Sequence, residues 1–547
     1  MLEENRIPID YIAGTSMGSI VGGLYASGMA PDEIENVLAN LDWDNIFVDE
    51  GLRQDRTFRR KRDDLLYLID RKLGVKDGEI KLRGAFVQGQ QFDLVLRKLT
   101  DRASGNINFD KLRIPFRAIA TDILTGKEVV LGSGDLAASI RASMAVPAAF
   151  SAVEIDGRLL VDGGLANNLP VSVVRDMGAD IIIAVDISTP LFKREELASL
   201  LEIASQMTGF LTWRNTERQI GSLSNSDILI TPDLRDVKSG DFHRVKEAVP
   251  YGVEATEQSM NKLNRLSLST SQYARYLALH PQTKKTPPVI QFVRIDNTSK
   301  LDTEMLTARL DLNLNEPLDV IKLEKAMGRI YGLGIFESVI YEIVEEAERT
   351  GLVTHAAEKS WGTDGLQFGM ELSADFEGDS NFNIGTVFTK GSINSLNGEW
   401  RTIAQLGDEP TLITEIYQPL DLLSRFFIKP VIGIGRNNVG VSSSGEQLAE
   451  VQVGAYFSQF WAGYNFGTWG RFSLGLNRSK GKTVLNIGDP TNPALETGDF
   501  ESGDGLVSFN VDTLDNANFP RYGYGMNANW RASRQSLEQI PISIRQH

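Results

Sequence analysis

Hydrophobic and polar residues alternate without a fault from Leu366 to Glu377. Leu366, Phe368, Met370, Leu372, Ala374 and Phe376 fall on one side, and Gln367, Gly369, Glu371, Ser373, Asp375 and Glu377 on the other. Period two sends successive side chains to opposite faces of a strand, so the segment predicts a strand with one apolar and one polar face. The same alternation predicts a strand from Arg521 to Ser533, with Tyr522, Tyr524, Met526, Ala528, Trp530 and Ala532 on its apolar side. Val451, Val453, Ala455 and Phe457 alternate with Gln452, Gly454, Tyr456 and Ser458. Phe472, Leu474 and Leu476 alternate with Ser473, Gly475 and Asn477. A soluble sandwich alternates too, but its inner faces are mostly aliphatic. These strands are long, glycine-rich and edged with aromatics, which fits lipid-facing barrel strands of ~9–11 residues. Eight or nine of them are predicted before the chain stops at Arg545-Gln546-His547.

Upstream the pattern changes. Residues 1 to about 190 alternate strand-like and helix-like segments. Ile114 to Ala120 and Ile181 to Asp186 predict buried strands of a parallel sheet. A helix over 195–220, a strand at Ile228–Ile230 and a polar helical stretch over 251–278 follow. Thr283-Lys284-Lys285-Thr286-Pro287-Pro288 predicts a linker. Residues 288 to about 360 predict a small α+β unit: strand Val289–Ile295, helix Thr303–Leu310, helix Asp319–Tyr331 and strands Phe336–Val344 and Leu352–Lys359. The second helix gathers Leu323, Met327, Ile330 and Tyr331 on one face. The chain thus divides into 1–285, 286–360 and 361–547, as suits its 547 residues.

The chemistry concentrates in the first unit. A strand-like Ile9-Asp10-Tyr11-Ile12-Ala13 leads into Gly14-Thr15-Ser16-Met17-Gly18, and Ser19 to Ala26 is small and apolar at helical spacing. Strand, Gly-x-Ser-x-Gly, helix is the context of a nucleophile elbow; a plain strand-to-helix turn containing serine is the competing reading. The elbow expects Gly14 and Gly18 where side chains would collide, and the Met17 amide beside any oxyanion at Ser16. A serine needs a base, and His243, His280, His355 and His547 are the only histidines, none at a strand end. Arg158-Leu159-Leu160-Val161 instead predicts a strand ending in Asp162-Gly163-Gly164, an acid placed to take a proton where glycines allow close approach. An Asx-turn would use the same residues.

Composition removes several alternatives. With no cysteine there is no disulfide, thiolate zinc site or cysteine nucleophile. The net charge of −16 argues against general nucleic-acid binding, which depends on a basic face. No apolar run approaches the ~20 residues of a transmembrane helix, and no signal peptide is visible. Neither metal nor cofactor is implied. Arg53, Arg56, Arg59, Arg60, Lys61 and Arg62 are interleaved with Asp55, Asp63 and Asp64. They are read as a solvated, internally paired loop, with attraction to anionic headgroups as the alternative.

The Gly14–Gly18 and Asp162–Gly164 motifs come with Ala120-Thr121-Asp122, with Ile140-Arg141-Ala142-Ser143-Met144-Ala145-Val146-Pro147, and with Leu165-Ala166-Asn167-Asn168-Leu169-Pro170. Together they resemble the patatin-like phospholipases over roughly residues 1–280. The resemblance implies a three-layer α/β sandwich and a Ser-Asp dyad, with Ser16 as nucleophile and Asp162 as general base, acting on phospholipid or another acyl-ester lipid. The family also places a Gly-Gly-Gly-x-Arg-Gly-type oxyanion loop before the elbow. Here fifteen residues precede Ser16 and Met1 to Arg6 hold no glycine, so the first strand and the loop are expected to be missing. The chain as written is therefore expected to hydrolyse a short-chain ester poorly, and the upstream strand and loop added to 1–285 to restore activity. The middle unit resembles a POTRA domain. The three units in this order resemble type V secretion systems, in which a patatin-like passenger precedes a POTRA and a sixteen-stranded outer-membrane barrel. The strands present are then about half a barrel. The implied location is the bacterial outer membrane, with the first unit periplasmic in transit and then cell-surface or secreted. The alternative is an outer-membrane transporter or surface protein with a non-catalytic passenger.

Overall fold

The computed structural model describes residues 1–534 except 48, 50, 67–71, 86, 104–106, 148, 189–190, 192–193, 198–199, 239, 282–286, 375–379, 444–445 and 490–496. In the first unit β1 (Ile12–Thr15) runs through one residue into α1 (Met17–Ala26). A short helix, α2 (Phe58–Asp63), and a hairpin of β2 (Leu73–Lys76) and β3 (Glu79–Lys81) follow. Then come β4 (Phe116–Asp122), β5 (Glu128–Leu131), α3 (Leu136–Ser143), β6 (Val153–Ile155) and β7 (Arg158–Asp162). Strands β1, β4, β7 and β6 form one sheet in that order, with β5 also on β4.

Phe116, Ala118, Ile119 and Ala120 of β4 are wholly buried, which makes β4 the spine of the unit. Each large apolar side chain so placed is worth ~1.5–3 kcal/mol. The sheet is mixed, a correction to the parallel one expected. Only β1 and β4 run parallel, whereas β5 and β7 join β4, and β6 joins β7, antiparallel. The 181–186 segment is not in it. Its strand, β8 (Ile183–Val185), lies before the long α4 (Leu200–Gly221) and pairs in parallel with β9 (Ile228–Ile230) in a separate two-stranded sheet. Periodicity identifies buried strands but cannot assign them to a sheet.

The middle unit follows the expected element order closely. It contains β10 (Phe292–Asn297), α5 (Thr303–Leu310), α6 (Val320–Tyr331), β11 (Phe336–Glu346) and β12 (Arg349–Glu358). Strand β12 is central, parallel to β10 and antiparallel to β11. Asp302 and Asp319 cap the two helices by accepting from the Glu304 and Lys322 amides at 2.9 and 3.0 Å. Leu323, Met327 and Ile330 of α6 are fully buried. Thr283–Thr286 of the expected linker lie outside the described residues.

Nine consecutive strands then form an antiparallel meander. They are β13 (Asp364–Ala374), β14 (Ser380–Lys390), β15 (Glu399–Gly407), β16 (Thr411–Pro419), β17 (Phe426–Ser443), β18 (Glu446–Phe466), β19 (Gly470–Ile487), β20 (Gly498–Asp512) and β21 (Gly525–Arg534). The sheet is inside out by the standard of a soluble protein. Gln367, Asn383, Arg401, Asn465 and Asp504 are buried, while Phe368, Met370, Leu372, Ile384, Ile434, Leu474 and Leu476 are exposed. That inversion excludes a soluble sandwich. Two details differ from expectation. The last strand begins at Gly525, with Tyr522 and Tyr524 in the turn before it. In β18 the exposed aromatics are Tyr456 and Phe460, so the Val451–Phe457 series faces inward. Asp375, Phe376 and Glu377 lie outside the described residues.

Two more strands enter this sheet from the first unit. β2 pairs antiparallel with β13, Leu73 opposite Leu366 and Val75 opposite Asp364, and β3 pairs with β2 to complete an eleven-stranded sheet. The basic segment goes with them, which overturns its reading as a solvated loop. Arg53, Arg59, Lys61 and Asp63 are buried. The internal pairing is real: Arg53 and Arg56 meet Asp64 at 2.8 and 3.1 Å, and Arg60 meets Asp63 at 2.8 Å. The rest is met by the sheet. Arg59 pairs with Glu399 at 3.0 Å and Glu415 at 2.7 Å, and Arg60 pairs with Glu399. Asp63 also binds Lys72 at 2.7 Å and Arg401, while Arg53 reaches Asp512 at 2.7 Å. Polar side chains on the sheet's inner face are the partners that make this burial possible.

Candidate active site

Strand β1 delivers Ser16 to the head of α1 with a backbone that side chains rarely adopt, φ 53° and ψ −124°. Such a conformation costs ~1–3 kcal/mol and persists only where its surroundings hold it. Here they do. The Ser16 amide donates to the Ser143 hydroxyl at 2.9 Å, and its carbonyl accepts from the Ser19 hydroxyl at 2.6 Å and the Ser19 amide at 2.8 Å. Met17 is the first residue of α1, so its amide has no partner within the helix and stands at the positive end of the dipole.

The two glycines of the elbow are not equivalent. A Cβ at Gly14 would lie 2.2 Å from the Gly18 carbonyl oxygen, so β1 can turn into α1 only with glycine there. A Cβ at Gly18 would meet nothing within 4 Å, which corrects the expectation of a collision there.

β7 ends at Asp162, whose amide donates to the Ala145 carbonyl at 2.9 Å and whose carbonyl accepts from the Thr121 hydroxyl at 2.9 Å. Its Oδ1 accepts from the Gly164 amide at 2.7 Å. Its Oδ2 is buried without a hydrogen-bond partner. Burial pushes this carboxyl up to about 6, against the opposing pull of the Gly164 amide and the Ser16 side chain. Ser16 and Asp162 are thus brought together, with the serine side chain close enough to pull on the carboxyl. Gly163 is required by backbone approach, since a Cβ there would sit 2.2 Å from the Ile119 carbonyl oxygen. A Cβ at Gly164 would crowd Asp162 Oδ1 at 2.9 Å.

Residues unassigned by sequence hold this arrangement. Thr15 donates to the Asn167 carbonyl at 2.8 Å, tying the elbow to the helical turn Gly164–Asn167 that follows Asp162. On α4, Asn215 donates to the Gly164 carbonyl at 2.8 Å and accepts from the Asn168 amide at 2.9 Å. None of the described histidines is paired with the serine. The His280 ring contacts the Tyr276 carbonyl, His355 faces Asp296 and Glu342, His243 lies in a short helix elsewhere, and His547 is outside the described residues. Among the described residues, no three histidine, aspartate or glutamate side chains converge as metal ligands would.

Residues 1–175 match the family model of patatin-like phospholipases, and the chain carries a patatin-like phospholipase domain. An uncharacterized NTE family protein of Mycobacterium tuberculosis is 32% identical over 187 residues, which cover 34% of this chain and 43% of that protein. A patatin-like phospholipase domain-containing protein of Caenorhabditis elegans is 33% identical over 346 residues, covering 57% of this chain and 24% of the relative. The chain therefore spans less than half the length of either. Among solved structures, BamA from Haemophilus ducreyi lacking POTRA domains 1–3 matches at TM-score 0.35 and 13% identity, over 45% of this chain and 48% of that one.

Proposed function

We propose that the first unit is a lipid acyl hydrolase using Ser16 as nucleophile and Asp162 as general base, and that the strand sheet anchors it in a membrane. The observation that carries this reading is the partnerless, buried Oδ2 of Asp162 beside a serine held in a strained turn at a helix head. As Ser16 Oγ attacks the ester carbonyl, its proton passes to Asp162 and the carbonyl oxygen becomes an oxyanion beside the Met17 amide. The tetrahedral adduct collapses to an acyl-enzyme, and the leaving alcohol takes the proton from Asp162. Water then attacks the acyl-enzyme, giving its proton to the same carboxylate, which passes it to Ser16 Oγ as the acyl–oxygen bond breaks, so that the fatty acid leaves and both residues are regenerated. No metal or cofactor enters these steps. Only ionised Asp162 accepts a proton, so activity rises with pH through about 6.

The substrate class is phospholipid or another acyl-ester lipid. The exposed apolar face of β13–β21 supports insertion in lipid as an outer-membrane-type barrel sheet, and the strand–helix–helix–strand–strand unit before it reads as a POTRA domain. Pairing of β2 with β13 and the ion pairs of α2 support a catalytic unit held on its sheet rather than released. The test is hydrolysis of vesicle phospholipid and of a soluble short-chain ester by the wild type, Ser16→Ala and Asp162→Asn. Loss in both variants is expected. Activity kept in either removes the dyad, and no hydrolysis even with the upstream strand and glycine-rich loop supplied favours a non-catalytic unit on a membrane protein.

A further inference from the structure

Two residues at and just beyond the end of α3, Ser143 and Ala145, hold both halves of the candidate dyad. The Ser143 hydroxyl accepts the Ser16 amide at 2.9 Å, the Ser143 carbonyl accepts the Gly163 amide at 3.3 Å, and the Ala145 carbonyl accepts the Asp162 amide at 2.9 Å. The whole segment is buried: Ser143, Met144 and Ala145 have no more than 1% of their surface exposed. Nucleophile and base come from different strands, β1 and β7, which do not pair with each other. Their spacing is therefore set largely through what both are attached to.

We infer that Ser143 is the positioning residue that sets nucleophile against base. Its hydroxyl pins the backbone amide of Ser16 on the strained side of the turn, and its carbonyl pins the amide of Gly163, one residue beyond the acid. The two anchors differ in kind. The carbonyl is supplied by any residue at position 143, whereas the bond to Ser16 needs a side-chain acceptor of serine's reach. Without that acceptor the Ser16 amide is left without its partner, and a strained turn relaxes toward an ordinary helix start. A shift of about 1 Å in a reacting atom is enough to cost ~10²-fold in rate.

This inference rests on the proposed Ser-Asp reading, and its test separates the two. In the full chain, Ser143→Ala is expected to lower kcat by ~10–10²-fold with KM unchanged. The acid limb of the pH profile should stay near 6, because Asp162 keeps its burial and its Gly164 bond. Ser143→Thr, which keeps the hydroxyl, is expected to restore most of the rate. Independently of activity, hydrogen exchange over residues 13–19 should show protection lost at the Ser16 amide in Ser143→Ala and kept elsewhere. Unchanged kcat, unchanged exchange at Ser16, or a fall in kcat that merely follows a general loss of protection would each overturn the assignment. If instead Ser16→Ala is as active as the wild type, the hydrolase reading fails while the exchange result still decides the contact.

Discussion

Asp162 and Asp63 are both buried carboxylates, and they are opposites. Asp63 is 1% exposed and lies among Arg60, Lys72 and Arg401. Every charge it carries is answered. Asp162 is 8% exposed, accepts from the Gly164 amide, pairs with no cation among the described residues, and keeps one oxygen bare. A matched buried carboxylate holds a structure together; an unmatched one is a free-energy liability that persists where it can take up a proton. The comparison teaches where to look for chemistry: in the imbalance around a charge, rather than in burial or charge alone.

The comparison can be broken most decisively at the serine. Ser16→Ala should lower ester hydrolysis by ~10⁴-fold or more with little change in melting temperature; a variant with a tenth of the wild-type rate would make Asp162 a merely awkward side chain. Next in size, Asp63→Ala removes the buried carboxylate shared by Arg60, Lys72 and Arg401 and should destabilise the protein by ~3–5 kcal/mol in denaturant unfolding. A cost below about 1 kcal/mol would mean that the network is not matched as described.

Asp162→Asn should do the reverse. The folded carboxyl titrates at about 6, above its ordinary value of 3.8. Between those values the native state binds the extra proton, so the wild type loses stability as pH rises from about 4 to about 6 and bears the full penalty above it. Asn carries no charge, and its own amide lacks a partner at the Oδ2 position. The variant is thus expected to be ~1–2 kcal/mol more stable than wild type at pH 8 and no more stable at pH 3. Equal stability at both pH values would place a hidden cation beside Asp162. The smallest effect is at the elbow: Gly18→Ala should change stability by ~1 kcal/mol at most, in the stabilising direction, because it adds a good helix former in open space. Gly14→Ala should be clearly destabilising by thermal melting.

Much of the site was legible because its motifs are local. Gly14 to Gly18 specifies a strand, a turn and a helix within a dozen residues, and Asp162-Gly163-Gly164 does the same for the acid. The histidine shortage directed attention to Asp162, which the fold buries beside Ser16. The middle unit was legible for the same reason: Leu323, Met327 and Ile330 mark a helix face within one short segment. Ser143 escaped because its role depends on two strands meeting at one helix end, which no spacing along the chain encodes. The 181–186 strand was found but assigned to the wrong sheet, since a buried strand looks alike in either. The basic segment was misread for a plainer reason: Arg59 and Arg60 look solvated until Glu399 and Glu415 are known to face them.

The partners of α2 also lie far along the chain. Asp63 meets Arg401 across 338 residues, and Arg53 meets Asp512 across 459. Loop-closure entropy grows only logarithmically, by ~0.6 kcal/mol per doubling, so such distances cost little at equilibrium. Their effect is on timing. A segment bearing six basic residues is made early and must remain unburied until the last third of the chain exists to receive it. The seating of α2 is then a late event in folding, and it joins the first and last parts of the polypeptide in one step. A sheet whose inner charges stay unanswered until that moment carries its own check on completion.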